Sequence, residues 1–196
     1  MSQNRVVFGL EQVHIAFFDE NSPTPPAWET PIHIPGAVSF SPEPQGEEST
    51  FYADNQPYFT YTSNNGYTAE LEMALVPDDV LAQMLGWEID SNGMLVETTD
   101  GTPKEFALLG QILGDKKNRR FVYYRCKASR PGGEHTTRAE SVEPTTQTLT
   151  LTILPIEIGG KRVVRGVIEL NDTNQTVFDS FFNAVHREVR FNPLST

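Results

Sequence analysis

Between Val6 and Pro103 the chain has no lysine and no arginine, a gap of 98 residues that holds 16 aspartates and glutamates. From Lys104 to Thr196, 14 basic residues stand against 10 acidic ones, and the formal net charge of the whole is −11. Gripping nucleic acid takes clustered cations that neutralise phosphates, so this balance argues against a DNA- or RNA-binding protein. An acidic surface kept soluble by its charge accounts for the sign. It accounts less well for so long a gap, which points to two electrostatically different faces.

Cysteine is nearly absent too. Cys126 has no second thiol to pair with. It lies in a strand-like run and reads as a small buried hydrophobe rather than a reactive group. The chain suits synthesis in a reducing cytoplasm, so the N-x-T matches at Asn171 and Asn174 are chance. No apolar run approaches the ~18 residues that would span a bilayer. The N-terminus, MSQNRVVFGLEQ, lacks a basic segment followed by an apolar one and does not read as a signal peptide.

Catalytic constellations are also missing. Of His14, His33, His135 and His186, none has a second His or a Cys at metal-ligand spacing. There is no G-x-S-x-G, no phosphate-binding loop and no dinucleotide fingerprint. Asp90-Ser91-Asn92-Gly93 is similar to the start of a calcium loop, but the remaining spacing fails, and a hairpin turn fits better. Asp78-Asp79 suits a helix N-terminus, where carboxylates complement the dipole, better than a catalytic pair. The expectation is a protein that is not an enzyme and holds no metal and no cofactor.

What is present reads as one mainly β domain over 1–196. The chain is 38% hydrophobic and 21% charged, enough for a sizeable core. The stretch from Gly46 to Gly86 organises it. An acidic, aromatic loop, GEESTFYADNQPY, is followed by a strand at Tyr58–Thr62. Asn65-Gly66 then suits a type I′ turn. The return strand, Tyr67 to Leu75, alternates: Tyr67, Ala69, Leu71, Met73 and Leu75 on one face, Thr68, Glu70, Glu72 and Ala74 on the other. Val80, Leu81, Met84 and Leu85 then fit one face of a short helix, with Asp78 as cap and Gly86 as stop.

Elsewhere, 12–18 and 31–41 read as strands joined by the turn-forming NSPTPP. A second hairpin surrounds Asn92-Gly93. Residues 106–113 form an apolar strand, and Lys116–Arg120 a basic turn. Phe121–Ser129 places Val122, Tyr124, Cys126 and Ala128 on one face. Arg130–Pro144 reads as a long mobile loop. Thr146–Leu154 alternates strictly, with Leu149, Leu151 and Ile153 inward and Thr148, Thr150 and Thr152 outward. Arg162–Leu170 is a strand reached through Gly159-Gly160. Val177, Phe178, Phe181, Phe182 and Val185 recur at helical spacing over 175–187, with Asn174 as cap. Residues 1–8 and 188–196 read as arms.

The order of several motifs carries a resemblance. GLEQVHIA (9–16), PGAV (35–38), GEESTFYADN (46–55), SNNGYTAELEMAL (63–75), PDD (77–79), LG (85–86) and NGMLVE (92–97) come first. FALLGQ (106–111), GD (114–115), YRCKASRP (124–131) and EPTTQTLTLT (143–152) follow. In this order, over residues 8 to 187, the chain resembles the major tail protein, or tail tube protein, of long-tailed phages of the phi-thirteen type. The resemblance implies a β-sandwich or barrel-like fold with one or two short helices, closing into rings through intersubunit sheet. The rings, hexameric in the family, stack into a hollow tube that conducts the genome. It implies a virion tail protein made in the host cytoplasm. Its partners would be its own copies, the tape-measure protein, the tail terminator and distal tail proteins. DNA would pass without specific binding, and no membrane would be involved. Some members carry an extra C-terminal immunoglobulin-like module, and none is expected here after the tail tube domain. A tail-tip or neck protein, or a secretion-type tube protein, could share the fold.

On that reading, Glu70, Glu72, Thr148, Thr150 and Thr152 are candidates for the tube lumen, where a carboxylate wall would keep DNA from sticking. Phe51, Tyr52, Asp54 and Tyr58 are candidates for contact between stacked rings, because an aromatic loop is disfavoured in open solvent.

Overall fold

The computed structural model describes residues 9–112, 118–132 and 146–187. The expected arms at 1–8 and 188–196, most of the 130–144 loop, and Lys116 and Lys117 of the basic turn lie outside the described residues. The chain is mainly β. Its first strands are β1 (Leu10–Phe17), β2 (Ile32–His33), β3 (Ala37–Gln45), β4 (Glu48–Ala53), β5 (Gln56–Thr62) and β6 (Gly66–Met73). Helix α1 (Asp78–Leu85), β7 (Glu88–Ile89), β8 (Leu95–Val96), β9 (Phe106–Ile112), β10 (Arg120–Ala128) and β11 (Gln147–Ile153) follow. The chain continues through β12 (Ile156–Ile158), β13 (Lys161–Val163), β14 (Arg165–Ile168) and helix α2 (Gln175–Asp179).

The main sheet runs β2-β1-β9-β10-β11-β6-β3, with β14 paired to β10 alongside. Every pairing in it is antiparallel. It curls so that β1 and β3, far apart in strand order, come into contact. The core lies inside that curl, and the alternation of β6 and β11 puts it there. Ala69 and Leu71 pair with Leu151 and Leu149, and these side chains are buried together with Met73, which pairs with Gln147. Burying each large one contributes about 1.5–3 kcal/mol. Val13, Ile15, Phe17, Phe106 and Leu108 meet them from β1 and β9.

Helix α1 covers this core with Val80, Leu81, Met84 and Leu85. Gly86 ends it in the left-handed conformation at φ 72°, as its position implied. Its N-cap is Pro77, not Asp78. Asp78 and Asp79 sit inside the first turn, where they complement the dipole without a side-chain cap bond.

The central strands are covered on both faces. Ala16, Ala107, Leu109, Val122 and Tyr124 face away from the first core and pack under Ile158, Phe181 and Val185. Here the expected face of β10 needs correction. Tyr123 pairs with Leu108 but Cys126 with Phe106, so β10 carries one extra residue between them. That bulge moves Cys126 and Ala128 to the face of Tyr123, away from Val122 and Tyr124.

Three other expectations also change. The strand expected over 31–41 is two strands, divided at Pro35 and at Gly36, whose φ is 88°. Leu75 lies past the end of β6 and is exposed. The helix expected over 175–187 is regular only over α2. The Ser180 hydroxyl donates back to the Thr176 carbonyl and the following residues turn, yet Phe178, Phe181 and Val185 still reach the sheet. Asn174 is the N-cap of α2, as expected, but makes no side-chain cap bond. Its amide oxygen instead accepts from Asn171 N–H.

The largest departure concerns the central hairpin. β5 pairs with β4, and β6 pairs with β3 and β11. The turn residues are Asp54 and Asn55, at φ 51° and 63°, as a type I′ turn requires. What reads as a long acidic loop is thus a ribbon of two strands. Asn65-Gly66 is instead the joint where the return strand enters the main sheet. Gln45 pairs with Gly66 below the joint and Glu48 with Thr62 above it. β3, β4, β5 and β6 therefore make one long hairpin, interrupted near Gly46-Glu47 and Ser63-Asn64-Asn65.

Candidate interaction surfaces

The five candidate lumen residues share one face of the sheet. Thr148 stands opposite Glu72, Thr150 opposite Glu70, and Thr152 opposite Thr68. Directly opposed side chains of an antiparallel pair lie about 4.5–5.5 Å apart at Cβ, so hydroxyls and carboxylates interleave. The three threonines and Glu70 are exposed. Glu72 is half-buried, because its carboxylate accepts from the hydroxyls of Thr146 at 2.6 Å and Ser39 at 3.1 Å.

The face continues onto β3, which the sequence reading missed. Ser39 pairs with Glu72, Ser41 with Glu70, and Glu43 with Thr68. The period-two spacing of Ser39, Ser41 and Glu43 was a usable signal. Pro42 and Pro44 interrupt that pattern by composition, yet they fit β3 as an edge strand, where a missing N–H is tolerated. On the far side Lys127 pairs with Thr152 and brings a cation to the border of the face.

The ring-stacking candidates lie on the β4–β5 ribbon. Phe51, Tyr52 and Tyr58 are 64%, 63% and 77% exposed, and Asp54 is exposed at the turn. They do not all share a face. Phe51 pairs with Phe59 and Ser49 with Tyr61, so Phe51, Phe59 and Tyr61 line one side of the ribbon. Tyr52 lies on the other. Tyr58 is the extra residue of a bulge, since Phe51 pairs with Phe59 but Tyr52 with Pro57. Phe59 and Tyr61 were missed, because placing the turn at Asn65-Gly66 hid their partners. Thr50 and Thr60 bring their hydroxyls to 3.4 Å on the opposite side.

Two further groups that the sequence singles out, Cys126 and Asp90, have definite surroundings. Cys126 is fully buried, and burial pushes its thiol well above the usual range. The Asp90 carboxylate accepts from the backbone N–H groups of Met94 and Asn92, each at 2.8 Å, inside the β7–β8 turn. Those bonds, Met94 foremost, hold its pKa below the ordinary value. Among the described residues, no three His, Cys, Asp or Glu side chains gather as metal ligands. No helix among them is long and apolar enough to cross a membrane.

No protein-family model matches the chain, and no curated protein sequence matches it. Among solved structures, it is similar to a chain of the sheath–tube complex of an extracellular contractile injection system, PVC, in the extended state. That likeness has a TM-score of 0.47 at 10% identity and covers 81% of this chain and 89% of that one. It is also similar to a chain of the tube-terminating cap of the anti-feeding prophage, at 0.46 and 9% identity, covering 86% and 97%. A third likeness is to a chain of the anti-feeding prophage baseplate, at 0.44 and 12% identity, covering 86% and 98%.

Proposed function

We propose that this chain is the structural subunit of a long-tailed phage tail tube, assembling with copies of itself and carrying out no reaction. The observation that carries the reading is the β4–β5 ribbon. A two-stranded ribbon is marginally stable alone in water. This one holds five aromatic side chains, each at least 59% exposed. A surface of that kind belongs against another protein. The motif order from 9 to 152 supports a tail tube subunit as the protein concerned.

In this reading, rings form through sheet edges and stack through the ribbon. The hydroxyl and carboxylate face of β3, β6 and β11 lines the channel. Genome DNA passes along it without specific binding, repelled within the ~8 Å over which charge acts at physiological salt. Tape-measure, terminator and distal tail proteins are the other partners, and the virion tail is the destination.

Electron microscopy of the purified chain tests this directly. Tubes with a central channel are expected. A chain that stays monomeric at high concentration, with its fold intact, would refute the proposal.

A further inference from the structure

Two apolar surfaces stand uncovered among the described residues, and they lie in different places. One is the Phe51, Phe59 and Tyr61 side of the ribbon. The other is a cleft of about 410 Å³ at the mouth of the curl, between β1, β3, β10 and β14. Its floor is aromatic. Phe40 stacks on Phe121 with centroids 5.8 Å apart and meets Tyr123 edge-on at 5.2 Å. Val38 and Val167 form its rim, 46% and 55% exposed. Arg165 also lines it, with its guanidinium 5.6 Å from the centre of the Tyr67 ring.

We propose that the ribbon of one copy seats its Phe51–Phe59–Tyr61 side in this cleft of a second copy. The proposal rests on the tube reading and deepens it by naming the ribbon's receptor. Chemistry agrees, because aromatic side chains would meet an aromatic floor, and rings pair well in offset and edge-on geometries. Charge agrees as well. The ribbon and its root carry Glu47, Glu48 and Asp54 and no cation, while Arg165 stands at the cleft. The ribbon does not occupy its own cleft, since Phe51, Phe59 and Tyr61 stay 59–64% exposed. Ribbon and cleft are different surfaces of the chain, so a contact between them can propagate from copy to copy.

A mixing experiment tests it. V38D/V167D closes the cleft, and F51S/F59S strips the ribbon. All four residues are 46–64% exposed, so both variants should keep the native circular dichroism and melting temperature. Each alone should stop at the unit that other contacts build, a monomer or a single ring. Mixed in equal amounts, the two units should give a species of twice that mass and grow no further.

A V38D/V167D chain that polymerises like the native one overturns the ribbon–cleft contact and leaves the tube reading standing. A native chain that forms only short oligomers, with the mixing pattern intact, keeps the contact and removes the tube. A native chain that stays monomeric overturns both. Should either variant misfold, V38C with F59C replaces it, since buried Cys126 will not compete. Mild oxidation of the assembly should link neighbouring copies through these positions, and failure to link them counts against the contact.

Discussion

The imidazole of His14 lies stacked on the ring of Phe182, with centroids 4.5 Å apart and planes inclined by 16°. This contact fixes the segment after α2 onto β1. The His14 Nδ1 lies 2.8 Å from the Gln12 carbonyl, to which it can donate. The His33 ring is 4.8 Å away on the neighbouring strand. Arg120 approaches from β10, its guanidinium over the Phe178 and Phe182 rings at 3.9 and 4.7 Å. Burial above all, then the charges of His33 and Arg120, lowers the His14 pKa from its ordinary value, although the Gln12 bond works against this. The contribution to stability is therefore complete above about pH 6.5 and lost as pH falls through the folded-state value. Each unit of the difference is worth about 1.4 kcal/mol. The melting temperature of the native chain should fall between pH 7.5 and 5, and His14→Phe should flatten that fall. An equal pH response in the variant would place the titration elsewhere.

Glu70 and Glu72 share a face but not an environment. Glu72 holds two hydroxyls, and Glu70 is exposed. Glu72→Lys should cost about 1–3 kcal/mol in denaturant unfolding, and Glu70→Lys less than about 0.5 kcal/mol. The double variant should still assemble but slow DNA ejection, because a basic wall releases counterions from the passing phosphates. Ejection at the native rate from such tubes would remove both residues from the channel.

Gly66 is irreplaceable for a backbone reason. Its φ is 102°, and a Cβ there would lie 1.9 Å from the Ile153 carbonyl oxygen. Gly66→Ala should destabilise by more than about 3 kcal/mol, since strain and clash add at the joint between β6 and β11. Chemical denaturation measures this. Gly93, whose Cβ would meet nothing within 4 Å, should show only the smaller cost of its positive φ.

Cys126 should resist thiol reagents. With the side chain fully buried and the thiolate disfavoured, labelling should occur only after unfolding. Its rate should track global stability when followed by mass spectrometry across denaturant concentrations. Rapid labelling of the native chain would mean that β10 opens locally.

Period-two alternation placed the apolar residues of β6 and β11 inward and set Thr148, Thr150, Thr152, Glu70 and Glu72 on the opposite face. Those faces follow from the pleat alone, because successive side chains must point to opposite sides. The α1 stripe and its Gly86 stop were legible for the same local reason. Partnership was not. Asn65-Gly66 and Asp54-Asn55 are both sound type I′ turns by composition, and no residue inside either says which one closes a hairpin. The choice rests on β6 having β3 and β11 to pair with, so that β5 turns back upon β4. The bulge that moves Cys126 to the face of Tyr123 likewise depends on register against β9, set across many residues of sequence. The chain's own chemistry determined which side chains share a face. Long-range pairing, which no local propensity encodes, decided which faces meet and which are left for another copy.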